Sequence, residues 1–143
     1  MRRLCVLVLV ALIGSGQSVA LSAWADEGAE KAAAQKATEA WLASVDAGKY
    51  AESWDQAAQL FKKQITKEQW AKAADAARSP LGRLDYRKLS SAEYTKTLPG
   101  APDGEYVVIQ FQSSFANKKS AVETLAPMKD KDGRWRVSGY HIK

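Results

Sequence analysis

Cysteine and histidine, on which much metal and acid–base chemistry depends, are almost absent from this sequence of 143 residues. The single cysteine, Cys5, lies near the N-terminus, and the single histidine, His141, lies near the C-terminus. One residue of each type excludes an internal disulfide and any multi-thiolate or multi-histidine metal site. The sequence also lacks the G-x-S-x-G motif of a serine nucleophile. We therefore expect no metal, no cofactor and no enzymatic activity.

The N-terminus has the three parts of a secretory signal peptide. Two arginines follow Met1, the apolar run "LCVLVLVALI" comes next, and "ALSAWA" places small residues at Ala23 and Ala25. We predict a signal peptide over residues 1–25, cleaved after Ala25, and a periplasmic or secreted product. Cleavage after Ala20 is an alternative. An uncleaved anchor is disfavoured, because polar residues interrupt the apolar run before it reaches about 20 residues.

The remaining chain, residues 26–143, has the length of one ordinary domain. Loss of Arg2 and Arg3 lowers the formal net charge from +5 to +3, and the other basic residues are spread along the chain. A mild, dispersed excess of positive charge does not form the basic surface that is typical of nucleic-acid binding. We expect neither nucleic-acid binding nor, after signal cleavage, membrane association.

The first half of this domain has helical periodicity. Apolar residues recur at helical spacing over 27–45 and again over 49–61, with a glycine-containing loop between the two segments. In "ITKEQW", Thr66 and Gln69 have the spacing of a capping box, which predicts the start of a third helix. Pro80 predicts the end of that helix.

After "SPLG" the period changes from helical to alternating. The strongest strand signal is "YVVIQFQSSF", in which Val107, Ile109 and Phe111 share one face. The segment "LDYRKLSSAEYTKTL" is predicted to form one or two strands with Leu84 and Tyr86 on one face. The segments "AVETLAPM" and "RWRVSGYHI" complete a sheet of about four antiparallel strands. Helices followed by such strands predict an α+β fold, with N-terminal helices packed on a curved antiparallel sheet.

The domain contains several long strings, among them "WLASVDAGKYAESWDQAAQLF", "LPGAPDGEYVV", "FANKKSAVET" and "DGRWRVSGY". These strings resemble an uncharacterised family of exported bacterial proteins, domain of unknown function 4019, roughly from Ala33 to Lys143. The resemblance implies no activity and no functional residues. In architecture, the order of helices and the terminal strand are similar to the cone-shaped nuclear-transport-factor-2-like (cystatin-like) superfamily. That superfamily includes isomerases, dehydratases and non-catalytic members, so the fold does not select a function.

Aromatic residues are the candidates for lining a ligand pocket between the helices and the sheet. The residues predicted to line it are Trp41, Trp54, Trp70, Tyr86 and Phe111. The favoured alternative is that such residues fill a small core, since aromatic side chains at helical and strand spacing are what a core requires.

Four residues are candidates for acid–base chemistry: Asp46, Asp55, Tyr86 and His141. Asp46 follows a predicted helix next to a glycine-containing loop, which favours a capping or turn role. Asp55 directly follows Trp54 and is therefore predicted to point away from the buried stripe into solvent. We assign no catalytic residue.

The face that carries His141 depends on the regularity of the last strand. A regular strand places His141 on the core face with Trp135, whereas a bulge at 138–139 places Tyr140 and Ile142 there instead. We predict the bulge, because it buries two apolar residues and because glycine tolerates the bulged conformation. His141 is then exposed.

Three functions stay open. A non-catalytic binding or interaction module is favoured, with a small apolar ligand or a second copy of the chain as candidate partners. The second is an isomerase- or dehydratase-like enzyme that uses an Asp or His in a cavity. The third is an accessory subunit that pairs through its sheet, for which the polar row of Gln110, Gln112 and Ser114 is suited.

Overall fold

A computed structural model of the chain describes residues 18–143, with side chains from Ala23 onward except that of Ala25. Residues 1–17 of the predicted signal peptide lie outside the described residues. The predicted cleavage site falls within the first helix, α1 (Ser18–Asp46). The described side chains before Glu30 are exposed, and Ala34 is the first fully buried residue. Among the described side chains of α1, those buried against the rest of the domain therefore lie in its later turns.

Three further α-helices follow, α2 (Tyr50–Asp55), α3 (Gln59–Gln64) and α4 (Lys67–Arg78), and then a short 3-10 helix, Ser79–Leu81. The predicted capping box at the start of α4 is confirmed. The Gln69 N–H donates to Thr66 Oγ1 at 3.2 Å, and the Thr66 N–H donates to Gln69 Oε1 at 3.1 Å. Helix α4 ends just before Pro80, as predicted.

The helix predicted over 49–61 is interrupted between α2 and α3. Ala57 and Ala58 are fully buried there, and the Ala58 N–H donates to the Val137 carbonyl of the sheet at 2.9 Å. This bond holds Ala58 in an extended conformation, with φ −63° and ψ 155°, which breaks the helix. The prediction of one continuous helix was wrong. The spacing of apolar residues cannot show that a backbone N–H is hydrogen-bonded to a strand far away in the sequence.

Four strands form an open sheet: β1 (Leu84–Thr95), β2 (Tyr106–Phe115), β3 (Lys118–Lys129) and β4 (Trp135–Ile142). Neighbours are antiparallel in the order β1-β2-β3-β4, so β1 and β4 are the edges. We call the face that packs against the helices the inner face and the opposite face the outer face. The α+β fold, with helices before the sheet, is confirmed.

The core lies between the helices and the inner face. Val107, Ile109 and Phe111 of β2 are buried together, as the alternation predicted. The core cluster consists of Ala34, Trp41, Leu42, Val45, Ala57, Phe61, Trp70, Ala74, Val107, Ile109, Phe111, Leu125, Trp135 and Val137.

Strand β1 is irregular. Leu84 lies opposite Phe115 and Tyr86 lies opposite Ser114, with a shift between them and a second shift between Leu89 and Ser91. Leu84 is therefore on the inner face and Tyr86 on the outer face, and the prediction that they share a face was wrong. The first bulge brings the next residue, Arg87, onto the inner face opposite Ser113.

Strand β4 carries the predicted bulge. Leu125 pairs with Tyr140 and Pro127 pairs with Val137, which leaves only Ala126 opposite residues 138–139. Beyond the bulge, Tyr140 packs against the core and His141 is exposed. The predicted bulge and the predicted exposure of His141 are confirmed.

Replacing His141 by glutamine is therefore expected to change the free energy of unfolding by less than about 0.5 kcal/mol. The neighbouring substitution Tyr140→Phe is the matched control, because it removes a hydroxyl that donates to the buried Glu123 carboxylate at 2.6 Å. Loss of a hydrogen bond to a charged group costs about 1.5 to 3 kcal/mol. Urea denaturation of both variants tests the assignment, and a loss in His141→Gln as large as that in Tyr140→Phe would contradict it.

Candidate functional site

Four charged side chains meet between the helices and the inner face of the sheet. Asp46 is the last residue of α1, Arg78 is the last residue of α4, Arg87 lies on β1 and Glu123 lies on β3. Their formal charges cancel. We call these four residues the buried ion network, in which Glu123 and Arg78 are buried, Arg87 is half-buried and Asp46 lies at the exposed rim.

Glu123 is at the centre of the network and is fully buried. Arg87 donates from Nε to Glu123 Oε1 at 2.7 Å and from Nη2 to Oε2 at 3.2 Å. Ser113 Oγ donates to Oε1 at 2.5 Å, and the Tyr140 hydroxyl donates to Oε2 at 2.6 Å. Each carboxylate oxygen thus accepts two hydrogen bonds, which uses the full acceptor capacity of the group.

Asp46 holds the two arginines together. Arg87 donates to both Asp46 carboxylate oxygens, at 2.8 Å and 3.0 Å, and Arg78 Nη2 donates to Asp46 Oδ1 at 2.7 Å. Burial by itself raises the pKa of Asp46, but the hydrogen bonds and charges of Arg87 and Arg78 outweigh it and lower the pKa below its ordinary value of 3.8. Asp46 is therefore ionised at neutral pH.

Aromatic rings and a phenol complete the surroundings of the network. The Arg78 guanidinium lies 4.9 Å from the centre of the Phe115 ring, and that of Arg87 lies 6.0 Å from the centre of the Phe111 ring. Such cation–π contacts stabilise a desolvated guanidinium.

Burial and the adjacent Glu123 carboxylate raise the pKa of the Tyr140 hydroxyl, so Tyr140 stays protonated and serves as a donor. The arrangement binds helices to sheet and offers no unoccupied carboxylate oxygen on Glu123.

Beside the network, aromatic side chains fill the space in which a pocket was predicted. The Trp41 and Trp70 rings lie 5.7 Å apart, Phe61 lies 5.0 Å from Trp70, and Tyr140 lies 5.5 Å from Trp41. Both indole N–H groups donate to Ser53, Trp41 to its carbonyl at 2.8 Å and Trp70 to its hydroxyl at 2.9 Å. This aromatic cluster is packed and internally hydrogen-bonded.

Four of the five residues predicted to line a pocket belong to the core cluster or pack against it, and Tyr86 lies apart from it. Trp41 and Trp70 belong to the aromatic cluster, and Phe111 lies beneath Arg87. Trp54 is half-buried near the amines of Lys62 and Lys67, which lie 5.3 Å and 5.4 Å from its ring centre. Tyr86 is 57% exposed on the outer face. These five side chains therefore do not enclose a common cavity.

A shallow polar cleft lies at the side of the aromatic cluster. Its volume is about 380 Å³, and its lining includes Trp41, Asp55, Arg134, Trp135 and Arg136. Arg136 is already paired with carboxylates of the β3–β4 turn, at 3.0 Å and 2.7 Å. A lining with three charged residues is a poor match for the small apolar ligand considered from the sequence.

The acid–base candidates differ in their surroundings. Asp46 belongs to the buried ion network rather than having the simple capping or turn role expected from its position. Asp55 is exposed, as predicted, and pairs with Lys67 at 2.7 Å. His141 and Tyr86 are exposed on β4 and β1. Of the four, Asp55 lines the shallow cleft, whereas Asp46, Tyr86 and His141 are not part of its lining.

Sequence reasoning missed three members of the network: Arg78, Arg87 and Glu123. Glu123 had a signal, because alternation in β3 places it on the same face as the buried Ala121 and Leu125. Arg87 had none, since its inward orientation depends on the first bulge of β1. Arg78 lies at a helix C-terminus, where an exposed arginine is common.

The acid dependence of stability tests the role of Asp46. Because its folded pKa is lower than its unfolded pKa, its ionised form stabilises the folded state above about pH 4, and this contribution is lost as the pH falls through the folded pKa. Asp46→Asn is expected to be less stable than the natural protein at neutral pH, with a difference that shrinks below pH 4. Urea midpoints between neutral pH and pH 2 measure it. Asp55→Asn, at an exposed ion pair, is the control, and an equally large effect there would contradict the role of Asp46.

The described part of the chain contains no cluster of three or more His, Cys, Asp or Glu side chains arranged to hold a metal ion. Among the residues with assigned structure, no helix is both long and apolar enough to cross a bilayer.

Comparison with known proteins yields one match. A family model described as "Protein of unknown function (DUF4019)" matches residues 37–140, well over half of the chain, and the matched range includes every member of the buried ion network. No curated protein and no solved structure matches the chain. The architectural resemblance to the nuclear-transport-factor-2-like superfamily therefore stays a prediction.

Proposed function

We propose that this chain, which belongs to the family described as Protein of unknown function (DUF4019), is an exported, non-catalytic interaction module. The observation that carries the proposal is the closed hydrogen-bonding of the buried ion network. A general base needs a free acceptor within reach of a substrate proton, and both oxygens of Glu123 are already occupied by protein donors. The adjoining space is filled by aromatic rings.

The enzymatic alternative requires an Asp or His in a cavity. Asp55 lines the shallow cleft, but its carboxylate is exposed to solvent and paired with Lys67 at 2.7 Å. Asp46 is engaged by two arginines, and His141 is exposed on the last strand. A buried charge network of this kind also arises in purely structural settings. An interaction role needs only an accessible surface on a stable scaffold, which this fold provides.

Export is supported by the sequence and is compatible with the fold. The charged start, apolar run and small residues before Asp26 have the pattern of a cleaved signal peptide. Side chains described on either side of the predicted cleavage site, such as Trp24 and Glu27, are exposed. Glu30 of α1 contacts the sheet, because it accepts from Lys129 at 2.6 Å and from Trp135 Nε1 at 2.7 Å. Cleavage after Ala25 would leave these contacts in place.

Pairing through the sheet is the form of interaction that the surface favours. On the outer face, Gln112 and His141 are exposed, and Gln110 and Gln112 donate to Thr124 and Ser120 of β3 at 3.4 Å and 3.2 Å. The same face carries half-buried apolar residues, Val108, Val122 and Met128, and Ser114 of the predicted polar row is buried. A mixture of apolar and polar side chains is typical of protein interfaces.

Native mass spectrometry of the protein released gently from a bacterial periplasm tests the proposal. We expect a chain that begins at Asp26, carries no small molecule and is present in a protein–protein complex. A full-length chain confined to the cytoplasm would contradict export. A reproducibly bound small molecule, or a bare monomer with no protein partner, would contradict the interaction role.

A further inference from the structure

Strand β1 is an edge of the sheet that the described part of the chain leaves uncovered. Within the described residues, none from Leu84 to Thr95 forms a backbone hydrogen bond outside its ladder with β2. At the opposite edge, the Ala58 N–H donates to the Val137 carbonyl of β4. A strand of 12 residues with one free edge is a template for another strand.

Apolar exposure is concentrated on the same strand. Tyr86 is 57% exposed and Leu89 is 39% exposed. One other large hydrophobic residue is exposed in the described part of the chain. It is Trp24, which lies in the predicted signal peptide. Exposed apolar side chains beside an unpaired strand edge mark an interaction surface.

Besides Asp85, which is paired with Lys119 and Arg83, two exposed charges of opposite sign lie on β1. Lys88 lies opposite Gln112 and Glu93 lies opposite Val108, so both point to the outer face. Neither forms an ion pair with another described residue. Charged residues on an edge strand usually block pairing, but charges of opposite sign on one strand become complementary when two copies meet in antiparallel orientation.

We propose that β1 pairs with β1 of a second copy of this chain, antiparallel about a two-fold axis, with Lys88 of each copy opposite Glu93 of the other. The inference rests on the proposed interaction role and names its surface and its partner. The same alignment places Leu89 opposite Ala92 of the second copy, and both of these residues lie on the inner face. Because the interface is isologous, each pair occurs twice.

The second bulge of β1 fits this alignment. The extra residue, Ser90, lies between Leu89 and Ser91, and the two-fold axis of the alignment passes between Ser90 and Ser91. Residues 86–89 of one copy therefore pair with residues 92–95 of the other, and neither four-residue ladder contains the bulge. Sliding the strands by two residues places Lys88 opposite Ser91 and Glu93 opposite Tyr86, so neither charge faces a residue of opposite charge. The same slide places Leu89 opposite Ser90.

Charge reversal tests the alignment directly. Light scattering coupled to size exclusion, over a range of protein concentrations, measures the dimer dissociation constant of the periplasmic protein. Lys88→Glu places two glutamates opposite each other at both symmetric positions, and we expect it to raise that constant by about 10- to 30-fold. Glu93→Lys is expected to act similarly, and the double variant K88E/E93K is expected to restore the dimer. Lys72→Glu, an identical charge change on the exposed face of α4, is the control.

The outcomes separate this inference from the proposed function. Weakening by each single variant with recovery in the double variant supports the β1 alignment. A dimer that is insensitive to all three variants overturns the alignment but leaves an interaction module. A natural protein that is monomeric at every concentration also overturns the inference, and native mass spectrometry then shows whether a different protein is the partner. Circular dichroism of each variant establishes that the fold is intact.

Discussion

Replacing Arg87 by methionine is expected to lower the free energy of unfolding by about 3 to 5 kcal/mol. Arg87 is mostly buried and its Nε lies 2.7 Å from Oε1 of the fully buried Glu123. Methionine occupies much of the volume of the arginine stem but removes the only cation that is hydrogen-bonded to the Glu123 carboxylate in the described structure. The charge of Arg78 acts on Glu123 without a direct hydrogen bond and is already paired with Asp46. The remaining donors, Ser113 and Tyr140, are neutral hydroxyls and do not balance its charge. Urea denaturation at neutral pH measures the loss.

Two further variants make this result interpretable. Arg83→Met is the matched control, because the Arg83 side chain is 86% exposed and its change is expected to stay within about 0.5 kcal/mol. Adding Glu123→Gln to Arg87→Met removes the unbalanced charge, so the double variant should be more stable than Arg87→Met alone. A cost below about 1 kcal/mol for Arg87→Met would contradict the central place of the buried ion network.

Replacing Trp41 by alanine is expected to cost about 3 to 5 kcal/mol, the range for removal of a large aromatic side chain from a core. Trp41 is 2% exposed and contacts the rings of Phe61, Trp70 and Tyr140. Its removal leaves a void among rings that are fixed by other contacts, and it leaves the Ser53 carbonyl without the indole donor. Thermal and urea unfolding both report the loss.

Trp54→Ala is the control for Trp41→Ala, since it deletes the same side chain from a half-buried position. Trp54 donates to the Ile65 carbonyl at 2.9 Å and lies near Lys62 and Lys67, so a smaller loss is expected. Equal losses in the two variants would contradict the assignment of Trp41 to the core. A stable Trp41→Ala protein would instead favour a tryptophan that lines an open pocket.

Much of the fold follows from rules that act over a few residues. The capping box at Thr66 and the alternation in β2 are local patterns, and the bulge in β4 follows from the need to bury Tyr140 and Ile142. The break before α3 and the bulge at Asp85 do not follow from local patterns. The break depends on a hydrogen bond to Val137, and the bulge accompanies ion pairs of Asp85 with Lys119 at 3.0 Å and with Arg83 at 3.7 Å.

The candidate site was harder to predict than the fold. Asp46 was recognised as a residue at a helix end, but its partner Arg87 is 41 positions away and is aimed inward by a bulge. Alternation alone would have assigned Glu123 to the inner face. It would not have shown that Arg87 is the cation with which Glu123 pairs. A charge network is a property of tertiary structure, so its members have no common motif in the sequence.

The buried ion network also constrains how this sequence can diverge. Loss of Arg87 or Glu123 alone leaves an unbalanced buried charge, whereas joint replacement by well-packed apolar residues is often neutral or stabilising. The two positions are therefore coupled, because a protein in which only one of them has been substituted is less stable than one in which both are kept or both are replaced. Within the family, substitutions at these positions are expected to occur as correlated pairs, and an arginine on the first strand should accompany a glutamate on the third.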